Sequence, residues 1–292
     1  MMPIQTAVNL QDAAAVADLF DRAAEANRST PGRAGCAIDL PAQGRVVLTG
    51  DLHDHLDNYQ RILKIARLHY SDQYHVVFHE VVHGERLVNG NDLSYRMLAR
   101  IAELKIDRPE QVHHILSNHE IAQLTGDGIL KDGVSVVEAF HRGLLFVFGE
   151  QWDQVDGAIG RYVRSMPLAV RCANGVLCAH SLPAPRYREE FDRSILAREL
   201  TDADLAAGGS AHAMVWGRGL AQTVADDLAE AWKVKVFVLG HQHVEMGVEP
   251  CGQTMVILNS DHHQGVALPV DLSRTYSRDE LLAEVVPLHS VA

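Results

Sequence analysis

Arg45-Val46-Val47-Leu48-Thr49-Gly50-Asp51-Leu52-His53 is the stretch from which the rest of the chain can be read. Val46 to Thr49 form a short run of apolar and β-branched residues, the pattern of a buried strand. Gly50 ends the run, and two polar, ligand-type side chains, Asp51 and His53, follow at once. The same arrangement recurs downstream. Residues 56–70 carry apolar side chains at helical spacing, and His75-Val76-Val77-Phe78 is a second strand ending in His79-Glu80. Residues 92–104 read as a helix. Residues 112–116 form a third strand ending in Ser117-Asn118-His119-Glu120. Strand–helix–strand order of this kind implies right-handed crossovers and a parallel sheet.

On the N-terminal side, residues 10–27 read as an amphipathic helix capped by Asn9. Residues 29–44, punctuated by Pro31, Gly32, Gly35, Pro41 and Gly44, read as a loop or linker. This suggests an N-terminal helix and linker, 1–44, on or ahead of a single domain, 45–292. On the C-terminal side, residues 134–166 carry about two apolar helices. Residues 168–172 and 176–179 flank Ala173-Asn174-Gly175, a hairpin signal. Helices are expected near 189–199 and 220–232, and strands at 234–239, 254–258 and 266–270. The hairpin ends in Ala179-His180-Ser181, and the 234–239 strand ends in Gly240-His241-Gln242-His243. A parallel first half and a hairpin-rich second half point to an α/β sandwich of two mixed sheets with helices outside.

Five strands therefore end in carboxylate, imidazole or amide groups. In open α/β sheets, ligands bind beyond the carboxyl ends of the strands. Composition agrees with a metal as the ligand. The 292 residues hold 26 Lys+Arg against 38 Asp+Glu, a formal net charge of −12. That balance argues against a nucleic-acid backbone or an anionic membrane as partner. Hydrophobic residues make up 47 %, enough for a sizeable core and against disorder. Cys36, Cys172, Cys178 and Cys251 include no C-x-x-C pair, which reads as thiols in a reducing compartment. The 17 histidines outnumber the seven Phe and seven Tyr together, and histidine is the commonest metal ligand. No apolar run reaches a membrane span, and Asp12 and Asp18 interrupt the first apolar stretch, so neither an anchor nor a secretory leader is expected. A cytoplasmic location follows as the expectation. Histidine, carboxylate and amide oxygen suit Mn, Fe, Zn, Co or Ni, and the donors are too many for one tetrahedral zinc. They fit two cations sharing a carboxylate.

With these five motifs in this order, residues 45–265 resemble the calcineurin-like metallophosphoesterases, and within them the phosphoprotein phosphatase branch. Asp51-x-His53 matches the first motif. Phe78-His79-Glu80-Val81-Val82-His83-Gly84 stands in the place of G-D-x-x-D-R-G. Ser117-Asn118-His119-Glu120 matches G-N-H-E, Ala179-His180-Ser181-Leu182-Pro183 looks like the histidine motif, and Gly240-His241-Gln242-His243 matches G-H-x-H. The resemblance implies one metal on Asp51, His53, Glu80 and His243, and a second on Glu80, Asn118, His180 and His241. It also implies His119 as general acid, and in-line attack on phosphorus by a hydroxide bridging two divalent cations, with manganese foremost. The implied substrate is a phosphomonoester on a protein or a small molecule; the oligomeric state stays open.

The departures from the pattern are as informative. Glu80 stands where the family has Asp, His83 where it has the Asp that orients the catalytic histidine, and Gly84 and Leu116 where it has arginines. Arg86 and Arg218 are the candidate replacements for gripping phosphate, with Arg186 and Arg188 behind them. Asp54 could orient the His53 ring. His55 and Asp57 sit at the start of the first helix. His113 and His114 alternate in the third strand, so that at most one faces the site. His262 and His263 follow a strand near Asp261, where a place along the cleft is the alternative to a structural role. With arginines missing, hydrolysis of a nucleotide anhydride or a diester is an alternative. A metal-binding pseudo-phosphatase without turnover is another.

Overall fold

The computed structural model describes residues 7–126, 128–131 and 133–292. Helix α1 (Ala13–Arg28) leads into short strands β1 (Arg33–Ala34) and β2 (Ala37–Leu40). Strand β3 (Arg45–Asp51), helix α2 (Leu56–Ala66), β4 (Tyr74–His79), α3 (Tyr95–Asp107) and β5 (Val112–Ile115) follow. Helix α4 (Asn118–Thr125) and the small hairpin of β6 (Leu130–Lys131) and β7 (Val134–Ser135) precede α5 (Val136–Phe148) and α6 (Trp152–Ser165). Next come β8 (Ala169–Cys172), β9 (Val176–Ala179), α7 (Asp202–Leu205), α8 (Ser210–Val215) and α9 (Gln222–Trp232). The chain closes with β10 (Val236–Leu239), β11 (Val248–Cys251), β12 (Met255–Leu258), β13 (Val266–Asp271), α10 (Arg278–Ala283) and β14 (Val286–Pro287).

Apart from the β6–β7 hairpin, the strands form two mixed sheets. One runs β14-β13-β3-β4-β5, with β3, β4 and β5 parallel, as the alternating first half requires. The other runs β1-β2-β8-β9-β10-β12-β11. Side-chain alternation decides which face each strand residue serves. Val46, Leu48 and Val77 point inward against Val170, Cys178, Val238 and Val256, and this layer joins the sheets. Val47, Val76 and Phe78, one residue out of phase, join the cluster shared with the helices.

Four sequence expectations need correction. The 29–44 stretch is more than a loop: β2 within it pairs in parallel with β8. Helix α1 starts at Ala13 because Asp12 caps it, its carboxylate accepting from Ala15 N at 3.1 Å. Residues 189–199 form no α-helix but a 3₁₀ turn at Ile195–Ala197. There Asp192 accepts from Ser194 N, a local side-chain bond that competes with helix. Helix α2 also stops short of residue 70, where Arg67 turns left-handed at φ 49°. The two middle helices and the Asn174-Gly175 hairpin stand as read.

Candidate active site

The carboxyl ends of β3, β4, β9 and β10 and the start of α4 meet at one rim between the sheets. Ser260, just beyond β12, ties the rim together: its N–H donates to Asp51 O at 2.9 Å, and its hydroxyl accepts from Gly50 N at 3.0 Å. The chain must leave each strand sharply to aim a side chain inward. Of the eight non-glycine residues with positive φ among the described residues, His53, Asp54, Glu80, His83 and His241 lie here. Such a backbone costs about 1–2 kcal/mol per residue and gathers where geometry matters more than local comfort.

Glu80 lies at the centre. Its Oε1 is 3.1 Å from His53 Nε2 and its Oε2 is 3.0 Å from His180 Nε2. The surrounding hydrogen bonds settle which ring nitrogens carry hydrogen. His53 Nδ1 lies 2.9 Å from Val82 O, a pure acceptor, so the hydrogen is on Nδ1 and Nε2 turns a lone pair toward Glu80. The expectation that Asp54 orients this ring therefore gives way to the Val82 carbonyl. His79 Nε2 donates to Thr49 O at 2.8 Å, which leaves its Nδ1 to accept from His180 Nδ1 at 3.0 Å. His180 Nε2 is then the lone-pair side of a neutral ring. It faces Asn118 Oδ1 at 2.7 Å, His241 Nδ1 at 3.1 Å and Glu80 Oε2 at 3.0 Å. A lone pair there cannot bond the Asn118 and Glu80 oxygens; a cation among these donors serves all of them.

The electrostatics agree. Burial disfavours a charged His180, but the Glu80 carboxylate outweighs it and raises the pKa, so the pocket favours positive charge beside Glu80. Burial opposes ionisation of Glu80 too, but His119 and His180 hold it well below the usual carboxylate range. Burial first and the Glu80 charge second push Asp51 up to about 7. Burial, followed by His180, brings His241 down to about 3. The site is short of positive charge. Nitrogen and oxygen donors without a thiolate fit borderline divalent cations.

Three groups of potential ligand atoms stand out among the described residues: Asp51, His79 and His180; His53, Glu80 and His119; and Glu80, His180 and His241. The structure thus brings together Asp51, His53, Glu80, Asn118, His180, His241 and His119. The His119 Nε2 lies 3.8 Å from Glu80 Oε1. His243 stands apart: it is exposed, its ring 5.4 Å from that of His262. His79 was missed in the sequence, although its place as the last residue of β4, beside Glu80, was the available signal. Arg86 is exposed and lines a cavity of about 530 Å³ with His53, Asp54 and Gly84. Arg218 is exposed on the other flank, near enough to His241 to help lower its pKa. Arg188 is committed to Asp227 at 2.7 and 3.0 Å, and Arg186 lies over the Tyr187 ring. His55 caps α2.

Residues 44–245 match the calcineurin-like phosphoesterases, more than half of the chain. The chain belongs to that family. Membership makes it a metal-dependent phosphoester hydrolase, whose divalent cations the convergent donors of this phosphoesterase are suited to hold. Similar folds are found in a protein serine/threonine phosphatase from Saccharomyces cerevisiae with similarity to human phosphatase PP5, at 14 % identity and TM-score 0.65, covering 94 % of this chain and 88 % of that one. The cold-active protein-tyrosine phosphatase of a psychrophilic Shewanella species is similar at 16 % identity and TM-score 0.55, covering 86 % and 80 %. No curated protein sequence matches the phosphoesterase. None of its described helices is long and apolar enough to cross a membrane.

Proposed function

We propose that this phosphoesterase hydrolyses a phosphomonoester, carried on a protein or a small molecule, with two divalent cations held on either side of Glu80. The observation that carries the reading is the Glu80 carboxylate, which offers one oxygen on the His53 side and the other on the His180 side. His53 and Glu80, with Asp51 and His243, would hold one cation. Glu80, Asn118, His180 and His241 would hold the other. His243, exposed beside His262, is the member that the geometry supports least. When bound, such a pair supplies an activated water and neutralises phosphoryl charge. Manganese is the proposed native cation, and iron, zinc, cobalt or nickel would suit the same donors. Four free cysteines accord with a reducing, cytoplasmic setting.

The chain's own residues supply the rest. His119, beside Glu80 at the start of α4, is placed to give a proton to the departing oxygen. Arg86 and Arg218 flank the centre on the His53 and His241 sides, where guanidinium forks would grip phosphoryl oxygens. A second reading, hydrolysis of a diester or nucleotide anhydride, draws support from Gly84 and the buried Leu116 at two positions where the family pattern has arginine.

Hydrolysis of p-nitrophenyl phosphate against bis-p-nitrophenyl phosphate, with added Mn²⁺, tests the reading. Preference for the monoester is expected, and His119→Ala should retain metal and lose about 10²–10⁴-fold in turnover. Diester preference would favour the second reading. Bound metal with neither activity would make the protein a non-catalytic binder.

A further inference from the structure

A cavity of about 530 Å³ opens beside His53, between the turns that leave β3 and β4 and the segment beyond β12. Its volume falls within the range of small-molecule sites, about 300–1,000 Å³. The wall carries four carboxylates, Asp54, Asp57, Glu85 and Asp261, and a single guanidinium, Arg86. The two histidines on it are committed elsewhere: His53 Nδ1 donates to Val82 O at 2.9 Å, and His55 Nδ1 accepts from Asn58 N at 3.2 Å.

Gly84 makes the imbalance of charge a property of this chain. The family pattern has arginine at that position, which would add a second guanidinium. Here even a Cβ would lie 2.7 Å from His53 O and 2.8 Å from Asp54 Cβ, so the wall is backbone and no side chain projects. The next residue is an exposed acid, Glu85.

Among the described residues, none of the four carboxylates makes a side-chain hydrogen bond or an ion pair, and Asp261 Oδ1 is buried with no partner. A carboxylate in that state is stabilised by any positive charge that enters the cavity. The four acids belong to none of the groups of converging ligand atoms among the described residues, so they do not form a cage for a metal ion. Negative charge spread around a wall suits an organic cation, which can be met from several sides. A leaving group with further phosphates would place its charge among four carboxylates with one arginine to offset it, which counts against the anhydride reading.

We propose that this cavity receives the departing alcohol and selects one that carries an ammonium group, so that the substrate is a small phosphorylated amino alcohol. The proposal rests on the reading of the chain as a phosphomonoesterase and narrows it. Arg86 stays with the phosphoryl oxygens, the carboxylates meet the ammonium, and Leu56 offers apolar surface to the carbon chain.

Three esters test it in the Mn²⁺-loaded protein: 2-aminoethyl phosphate, its neutral isostere propyl phosphate, and phosphoglycolate, which ends in a carboxylate. The kcat/KM should be about tenfold higher for the amine than for the propyl ester, the combined effect of two or three exposed charge pairs, and lowest for the carboxylate. The difference should lie mainly in KM and shrink as salt is raised. Glu85→Gln combined with Asp57→Asn, both at exposed positions, should bring the ratio of amine to propyl ester toward one, and Glu85→Lys should favour the carboxylate. Equal kcat/KM for the three esters, or an amine preference undiminished in both variants, would overturn the proposal. So would faster hydrolysis of a lysine-flanked phosphoserine peptide than of 2-aminoethyl phosphate, which would make the cavity a peptide site. A wild type that hydrolyses none of these, nor p-nitrophenyl phosphate, would defeat the proposed function. Calorimetric Kd values for the three esters would then still decide the cavity, with the amine expected to bind tightest and equal affinities contradicting the claim.

Discussion

Gly240 shows how little room the centre leaves. A Cβ at this position would lie 2.3 Å from Asp51 Oδ1 and 2.4 Å from His79 Cε1, well inside contact distance. The next residue's N–H donates to both Asp51 oxygens, at 2.9 and 3.1 Å. Gly240→Ala should therefore push Asp51 and His79 off their positions without changing a single donor. Metal retained after dialysis, measured by elemental analysis, should drop severalfold, and the melting temperature should fall. Wild-type retention would show that the close approach is not needed. His79 makes a related point. Its importance comes from the Thr49 carbonyl on one side and His180 on the other, partners 30 and 101 residues away. Those contacts could not be read from its neighbours in sequence.

An ion-pair clamp holds α7 against the chain segment that precedes it. Arg198 donates to both Asp204 oxygens at 2.7 and 2.8 Å, and Asp204 also accepts from Thr201 at the start of α7. Helix α8 leads to Gly217, whose carbonyl accepts from Ser181 Oγ at 2.7 Å, so the Arg218 segment is tied to the strand that carries His180. Arg198, against the opposing effect of burial, holds the Asp204 carboxyl below its ordinary range. A carboxyl depressed in this way adds stability above its unfolded pKa and loses it as pH falls through the lower, folded value. Asp204→Asn should melt a few degrees below wild type at neutral pH, and the gap should narrow as pH drops below about 4. A gap that stays constant across that window would mean that charge plays no part in the clamp. The expectation of a helix at 189–199 failed in this same region, because Asp192 and Arg198 satisfy one another and nearby backbone in turns that helical spacing cannot reveal.

Across the whole molecule, two sheets packed face to face bring the ends of separate strands to one rim, and that rim gathers the candidate metal ligands. The sandwich was legible because Val46, Leu48, Val77 and Val238 alternate with residues that face the helices. Most of the gathered donors were legible because Asp51 ends a buried strand, and Glu80, Asn118, His180 and His241 each follow one within three residues. What sequence could not supply was rotation about each side chain. It did not show that His243 points to His262, that Val82 rather than Asp54 holds His53, or that β2 joins the sheet. The central claim is that Glu80 serves two cations at once. Metal stoichiometry of the purified, Mn²⁺-loaded protein, compared with that of folded Glu80→Ala, addresses it most directly. The account expects close to two equivalents per chain, falling to one or fewer in the variant; a single equivalent in the wild type, or two in both proteins, would contradict it.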